Sequence, residues 1–192
     1  DKFDMFFISK VFVETKFPSN KFQTRPAYYG GSGFFGEDSP FLINDIEHHR
    51  PDYNLYEPYI QYVNSNNIKG RRIAEYTDYS IGYTTRGCFR KCDFCINKRY
   101  DRVYRHSKVS EFLDQTRRYI YLWDDNILGY SKWNEIFDEI EATKKKVQFR
   151  QGLDIRLLTS EKARRLDKIN YKGEIIFAFD DLDEKDIIEN KL

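Results

Sequence analysis

From Tyr76 onward the sequence alternates short apolar runs with stretches of helical period, and this alternation restricts the fold more than any other feature. Residues 79–85, 119–123, 147–153 and 174–179 are rich in aromatic and β-branched residues and are predicted strands. Between them, 110–118 is predicted helical. Ser131 is expected to cap a helix whose Trp133, Ile136, Phe137 and Ile140 fall at the helical period, and Thr159 to open another with Ala163, Leu166 and Ile169 inward. Strands joined by single helices imply parallel βα units with right-handed crossovers. In such sheets chemistry gathers at the C-terminal strand ends. Asp124-Asp125-Asn126, Asp154-Ile-Arg156 and Asp180-Asp181 all stand at such ends.

The first seventy residues follow no such rhythm. Residues 4–13 and 27–29 are strand candidates, the second running into Gly30-Gly31-Ser32-Gly33. Ser39-Pro40 is expected to open a short helix with Leu42, Ile43 and Ile46 on its apolar face. Residues 50–70, with Pro51, Pro58 and Gly70, read as an extended connector. The division expected is an appendage over 1–70 and a core over 76–192. Aromatic residues make up 17% of the chain, too many for a disordered segment. The longest apolar runs are five residues, so no membrane-spanning helix is expected.

All three cysteines lie within eight residues, in Arg86-Gly-Cys88-Phe-Arg-Lys-Cys92-Asp-Phe-Cys95. An odd, clustered set is no disulfide framework, and without a secretory signal the thiols are expected to be reduced, in a cytoplasm. Three thiolates on one loop can hold three corners of an iron–sulfur cube, and no fourth cysteine exists to close the last. One iron would stay open to a non-protein ligand. The alternatives are a structural zinc site, which needs a fourth ligand such as His106, His48 or His49, and three metal-free thiols.

The Cys-x3-Cys-x2-Cys spacing, Phe94 before the last cysteine, and placement after the first core strand resemble the radical S-adenosylmethionine (radical SAM) superfamily, closest in style to its methylthiotransferase and cobalamin-domain-containing branch. The resemblance implies an α/β fold: a partial parallel (β/α) barrel of the radical SAM type with a small N-terminal α/β appendage. It implies a 4Fe-4S cluster on Cys88, Cys92 and Cys95, with S-adenosyl-L-methionine on the open iron and Phe94 beside its adenine. Cleavage of that cofactor would give a 5′-deoxyadenosyl radical, with methyl or methylthio transfer as the expected outcome. Asp125 and Asn126 stand where the family holds the methionine amino group, or else cap a turn. Arg156 either pairs with the methionine carboxylate or with Asp154. Asp180 either touches the ribose or closes a turn. The Gly30, Gly31 and Gly33 turn resembles that of cobalamin-binding domains, but the segment that supplies a cobalt-ligating His is absent, and bound cobalamin is not expected. Four strand candidates stand where the family has six βα units, so a fragment or an abbreviated member is expected.

Residues 86–105 carry seven cations (Arg86, Arg90, Lys91, Lys98, Arg99, Arg102 and Arg105) against Asp93 and Asp101, in a chain whose net charge is +1. The surplus fits docking of a reduced electron donor such as flavodoxin or ferredoxin, contact with an RNA substrate in place of a small molecule, or a solvated loop. The rival to an enzyme is a non-catalytic interaction protein stabilised by zinc or an iron–sulfur cluster, with the cysteine loop as a clip.

Overall fold

The computed structural model describes residues 4–16, 26–35, 42–69 and 73–191. The chain divides into two compact units. One comprises Asp1–His48 and Lys91–Arg99, the other His49–Arg90 and Tyr100–Leu192.

In the first unit, β1 (Phe6–Ser9) pairs in parallel with β2 (Ala27–Gly30), and the rings of Phe7 and Tyr28 stack at 5.2 Å. Gly31 then turns the chain at φ +92°, where a Cβ would stand 2.4 Å from the Lys10 carbonyl oxygen. Only glycine meets both demands. Two single-turn helices follow, α1 (Ser32–Phe35) and α2 (Asn44–Glu47). The cap expected at Ser39-Pro40 lies outside the described residues, and α2 buries no side chain.

The second unit begins with a correction. The connector expected over 50–70 contains α3 (Glu57–Ser65), with Pro58 in its first turn and Ile60 and Val63 buried. Proline in a first turn breaks no helical hydrogen bond, so it marks a start here and not an interruption. Next come α4 (Ile73–Thr77), β3 (Tyr79–Gly82), β4 (Thr85–Arg86), β5 (Tyr104–Arg105), α5 (Val109–Phe112) and β6 (Tyr119–Leu122). They are followed by α6 (Trp133–Ala142), β7 (Lys146–Phe149), β8 (Leu153–Asp154), α7 (Ser160–Lys168), β9 (Phe177–Ala178) and α8 (Lys185–Glu189). Buried Arg117 ties the start of this unit to its sheet, donating to the carbonyls of Tyr53, Tyr76 and Tyr79 at 2.9, 2.6 and 3.2 Å.

Strands β3, β6 and β7 form a parallel sheet in chain order, as the strand–helix alternation implied. One face carries Ile120, Leu122, Val147 and Phe149. Against it lie Val109 and Phe112 of α5, Ile136, Phe137 and Ile140 of α6, and Leu166 of α7, all buried. Burying each such side chain contributes about 1.5–3 kcal/mol, which is why the helices settle on this face. The expected third strand, 147–153, is cut in two by a turn through Gly152 at φ +79°. Its second piece, β8, pairs in parallel with β9. The single strand expected over 79–85 is likewise divided, β4 leaving the main sheet to pair antiparallel with β5. Thr159 caps α7 as expected, its hydroxyl accepting from the Lys162 N–H. Among the described residues, no helix is long and apolar enough to cross a membrane.

Candidate metal centre

The route from β3 to Cys88 is held by one buried carboxylate. Asp124, 5% exposed, accepts hydrogen bonds from the backbone N–H and the hydroxyl of both Thr84 and Thr85, at 2.5–3.2 Å. Burial pushes its pKa up against the pull of these four donors. Asp125 next to it accepts from the Gly87 N–H at 2.7 Å and faces Arg86 at 3.9 Å. Gly87 adopts φ +85°, and a Cβ there would stand 2.6 Å from the Arg102 carbonyl oxygen. Glycine is therefore required for the turn that presents Cys88.

Cys88 is buried, and its sulfur has two hydrogen-bond donors. The Arg90 N–H approaches at 3.3 Å and Asn126 Nδ2 at 3.4 Å. Asn126 Nδ2 also reaches Asp154 Oδ2 at 3.3 Å. Because a carboxylate only accepts, Asp154 keeps the amide nitrogen of Asn126 turned toward it and toward the sulfur. The amide oxygen is left on the other side, buried and without a hydrogen-bond partner. Asp154 is in turn clamped by Arg90 Nε at 3.0 Å and Arg156 Nε at 2.6 Å, and Arg156 also pairs with Glu184. Burial alone would raise the Asp154 pKa, but the hydrogen bonds and charges of Arg156 and Arg90 outweigh it and hold the carboxyl below its ordinary range.

A carboxylate with a lowered pKa stabilises the folded state above its unfolded pKa of about 3.9 and loses that contribution as pH falls through the folded value. Asp154→Asn is thus expected to destabilise the protein at neutral pH, with the gap to the parent narrowing as pH falls below about 4. Thermal melts of both proteins between neutral pH and pH 3 check this. A gap of constant size across that range would mean that the charge of Asp154 contributes nothing.

Cys92 and Cys95 belong to the smaller unit and share a turn in which the Cys95 N–H donates to the Cys92 carbonyl at 3.0 Å. The Asn97 N–H then donates to Cys95 Sγ at 3.4 Å, two residues on, as the Arg90 N–H does to Cys88. Backbone N–H groups aimed at cysteine sulfur stabilise the thiolate and tune the potential of a cluster bound by it. The soft donors and their N–H bonds fit an iron–sulfur group. Among the described residues no three His, Cys, Asp or Glu side chains are gathered to hold a metal ion by themselves. Of the histidines named for a fourth zinc ligand, His106 Nδ1 lies 2.9 Å from Ser107 Oγ and His49 Nδ1 lies 2.7 Å from the Arg50 carbonyl.

The other expected residues are placed as follows. Arg156 pairs with Asp154, one of the two alternatives its spacing allowed, and its second carboxylate partner, Glu184, had no signal in the sequence. Phe94 is 73% exposed in the smaller unit, and Asp180 is exposed two residues past β9. Of the basic loop, Arg86, Arg90 and Arg105 are spent on Asp125, Asp154 and Glu139, so much of its apparent surplus is neutralised by carboxylates distant in sequence. The pairing of Arg90 with Asp154 and of Thr84 and Thr85 with Asp124 has no signal in the sequence, because the partners lie 39 to 64 positions away. Compared with protein-family models, with curated proteins and with solved structures, the chain matches none.

Proposed function

We propose that this chain is an enzyme of the radical SAM type, with Cys88, Cys92 and Cys95 as ligands of a 4Fe-4S cluster that takes S-adenosyl-L-methionine on its open iron. When bound and reduced, the cluster would supply one electron to the sulfonium, releasing methionine and a 5′-deoxyadenosyl radical. The observation that carries this reading is the environment of Cys88. Its buried sulfur receives a backbone and a side-chain N–H, and the same Asn126 amide keeps a buried oxygen without a partner. An unpaired buried acceptor is costly, and the ammonium group of an amino acid is the kind of donor that would relieve it.

The chain's own residues divide the work. Asp124 and Asp125 fix the approach to Cys88 through Thr84, Thr85 and Gly87. Asp154 orients Asn126, and Arg90 and Arg156 keep Asp154 charged. In this reading Arg156 acts by holding Asp154 and not by touching the cofactor's carboxylate. Phe94 and Asp180 remain proposed for the adenine and the ribose. The partial barrel, the cytoplasmic setting, a flavodoxin or ferredoxin as donor, and a small molecule or RNA as substrate belong to the same proposal.

Anaerobic purification with reconstitution tests it. The expected result is about four irons and four sulfides per chain. With dithionite present, S-adenosyl-L-methionine should be converted to 5′-deoxyadenosine and methionine. Stoichiometric zinc without sulfide would overturn the proposal and favour the non-catalytic metal clip.

A further inference from the structure

The face of the central sheet turned away from the helices is aromatic and cationic. Read across the register, its rows are Tyr79, Tyr119 and Lys146, then Ile81, Tyr121 and Gln148. Trp123 and Arg150 continue the same alternation just past the ends of β6 and β7. Lys172 stands 4.1 Å from the ring centres of both Tyr79 and Tyr119. None of these residues is acidic. Tyr79 and Tyr121 are buried, whereas Ile81 is 38% exposed and Trp123, Gln148 and Arg150 are half-buried. Lys146, at the N-terminal ends of the strands, is exposed as well, and Trp123 and Arg150 lie at the C-terminal ends, where parallel sheets take their ligands.

Arg150 is unlike the other half-buried or buried arginines among the described residues of this unit. Arg86, Arg90, Arg105, Arg156 and Arg165 each pair with a carboxylate, and Arg117 with Asp114 and three carbonyls. The Arg150 guanidinium instead lies 4.7 Å from the Tyr121 ring and 5.6 Å from that of Trp123. Its Nη1 makes one long bond, 3.4 Å, to Gln148 Oε1, and its Nε is buried without a hydrogen-bond partner. A charged group so poorly supplied with acceptors is costly unless something supplies them. The two rings lie beside the guanidinium, whose charge and Nη donors suit a carboxylate or a phosphate.

We propose that Arg150 anchors an anionic substrate on this face: a small planar molecule whose carboxylate or phosphate meets the guanidinium edge while its flat part lies against Trp123. The inference rests on the radical SAM reading for what then happens to that molecule, and it narrows the substrate to a small planar anion. Trp123 stands at the end of β6, directly before Asp124, Asp125 and Asn126, and Arg150 stands at the end of the neighbouring β7.

The test uses the full chain without a cluster, so its outcome does not depend on the iron and sulfide analysis. Arginine Nε–H signals are followed by nitrogen–proton magnetic resonance during titration with benzoate and, separately, with inorganic phosphate at constant ionic strength set by chloride. One signal, identified by its loss in Arg150→Lys, is expected to move saturably downfield with at least one of the two anions. The anion that moves it tells whether carboxylate or phosphate is the natural group. Trp123 fluorescence, isolated by Trp133→Phe, should respond over the same range and lose that response in the Arg150→Lys background. If neither anion moves the signal beyond what chloride does, or if the Trp123 response survives Arg150→Lys, the site is not there. A loaded cluster with no anion effect would sink this inference alone, and an anion effect with no cluster would sink the radical reading alone.

Discussion

Replacing Asp124 by Ala is expected to cost roughly 3–5 kcal/mol of folding stability, because it strands buried donors with nothing to receive them. The carboxylate accepts from two backbone N–H groups and two hydroxyls, all of them on fully buried Thr84 and Thr85. The hydroxyls can rotate toward other acceptors, but the two N–H groups are fixed by the chain. Each buried donor left unmatched costs about 1–3 kcal/mol. A domain of this size has about 5–15 kcal/mol in hand, so the variant would lose much of its margin. Asp124→Asn keeps the shape and one acceptor oxygen, and should fall between variant and parent. Urea denaturation followed by circular dichroism measures both. A loss under about 1 kcal/mol for the Ala variant would mean that water replaces the carboxylate and that Asp124 is no anchor. Such an anchor matters beyond stability. Thr84 and Thr85 lead directly into Gly87 and Cys88, so whatever loosens them loosens the approach of the first thiol.

Elements whose stability is decided locally were legible in the sequence. Trp133, Ile136, Phe137 and Ile140 recur at the helical period, and α6 forms where they do, with the last three buried. Its start was misjudged by one residue, since Lys132 and not Ser131 stands at the cap. Elsewhere a competing local bond won. The helix expected over 110–118 stops at Phe112, because the Asp114 side chain captures the Thr116 N–H at 2.8 Å and its carbonyl accepts from the Arg117 N–H. The run 147–153 looked continuous by composition, yet Gly152 turns it and gives its end to another strand. Residues 49–70, grouped with the appendage by composition, fall in the larger unit, where the Tyr53 hydroxyl donates to the Phe112 carbonyl at 2.6 Å.

The candidate site divides in the same way. The three cysteines and the strand-end polar clusters are visible because spacing along the chain reveals them. The chain of Arg90, Asp154, Arg156 and Glu184 is a product of folding: Asp154 takes Arg90 from 64 residues upstream and Arg156 takes Glu184 from 28 residues downstream. The basic loop shows both kinds of information. Counted along the sequence it is a patch, but three of its guanidinium groups are matched by Asp125, Asp154 and Glu139 once the chain folds.

Single replacement of Cys88, Cys92 or Cys95 by Ala is expected to abolish the broad absorption near roughly 400 nm that thiolate-bound iron gives the reconstituted protein. The fold should survive in each case. Cys88 is the most buried of the three, and among the described residues its sulfur makes two long hydrogen bonds, at 3.3 and 3.4 Å. Removing it forfeits a small buried side chain and two weak contacts, a cost of about 1–2 kcal/mol. Cys92 and Cys95 are partly exposed, so their loss should cost the cluster-free protein less. Loss of the cluster with retention of the circular dichroism spectrum therefore separates ligation from unfolding. The Asn126→Leu variant supplies the contrast. It removes one N–H bond to the sulfur and the unpaired oxygen but no ligand, so it should still take up iron and sulfide while binding S-adenosyl-L-methionine at least tenfold more weakly, about 1.4 kcal/mol. Iron and sulfide analysis, with the paramagnetic spectrum of the reduced protein recorded before and after adding the cofactor, reads out both. Full iron and sulfide in all three Ala variants would place the ligands elsewhere in the chain. Full cofactor binding by Asn126→Leu would leave the buried oxygen beside Cys88 without the role assigned to it.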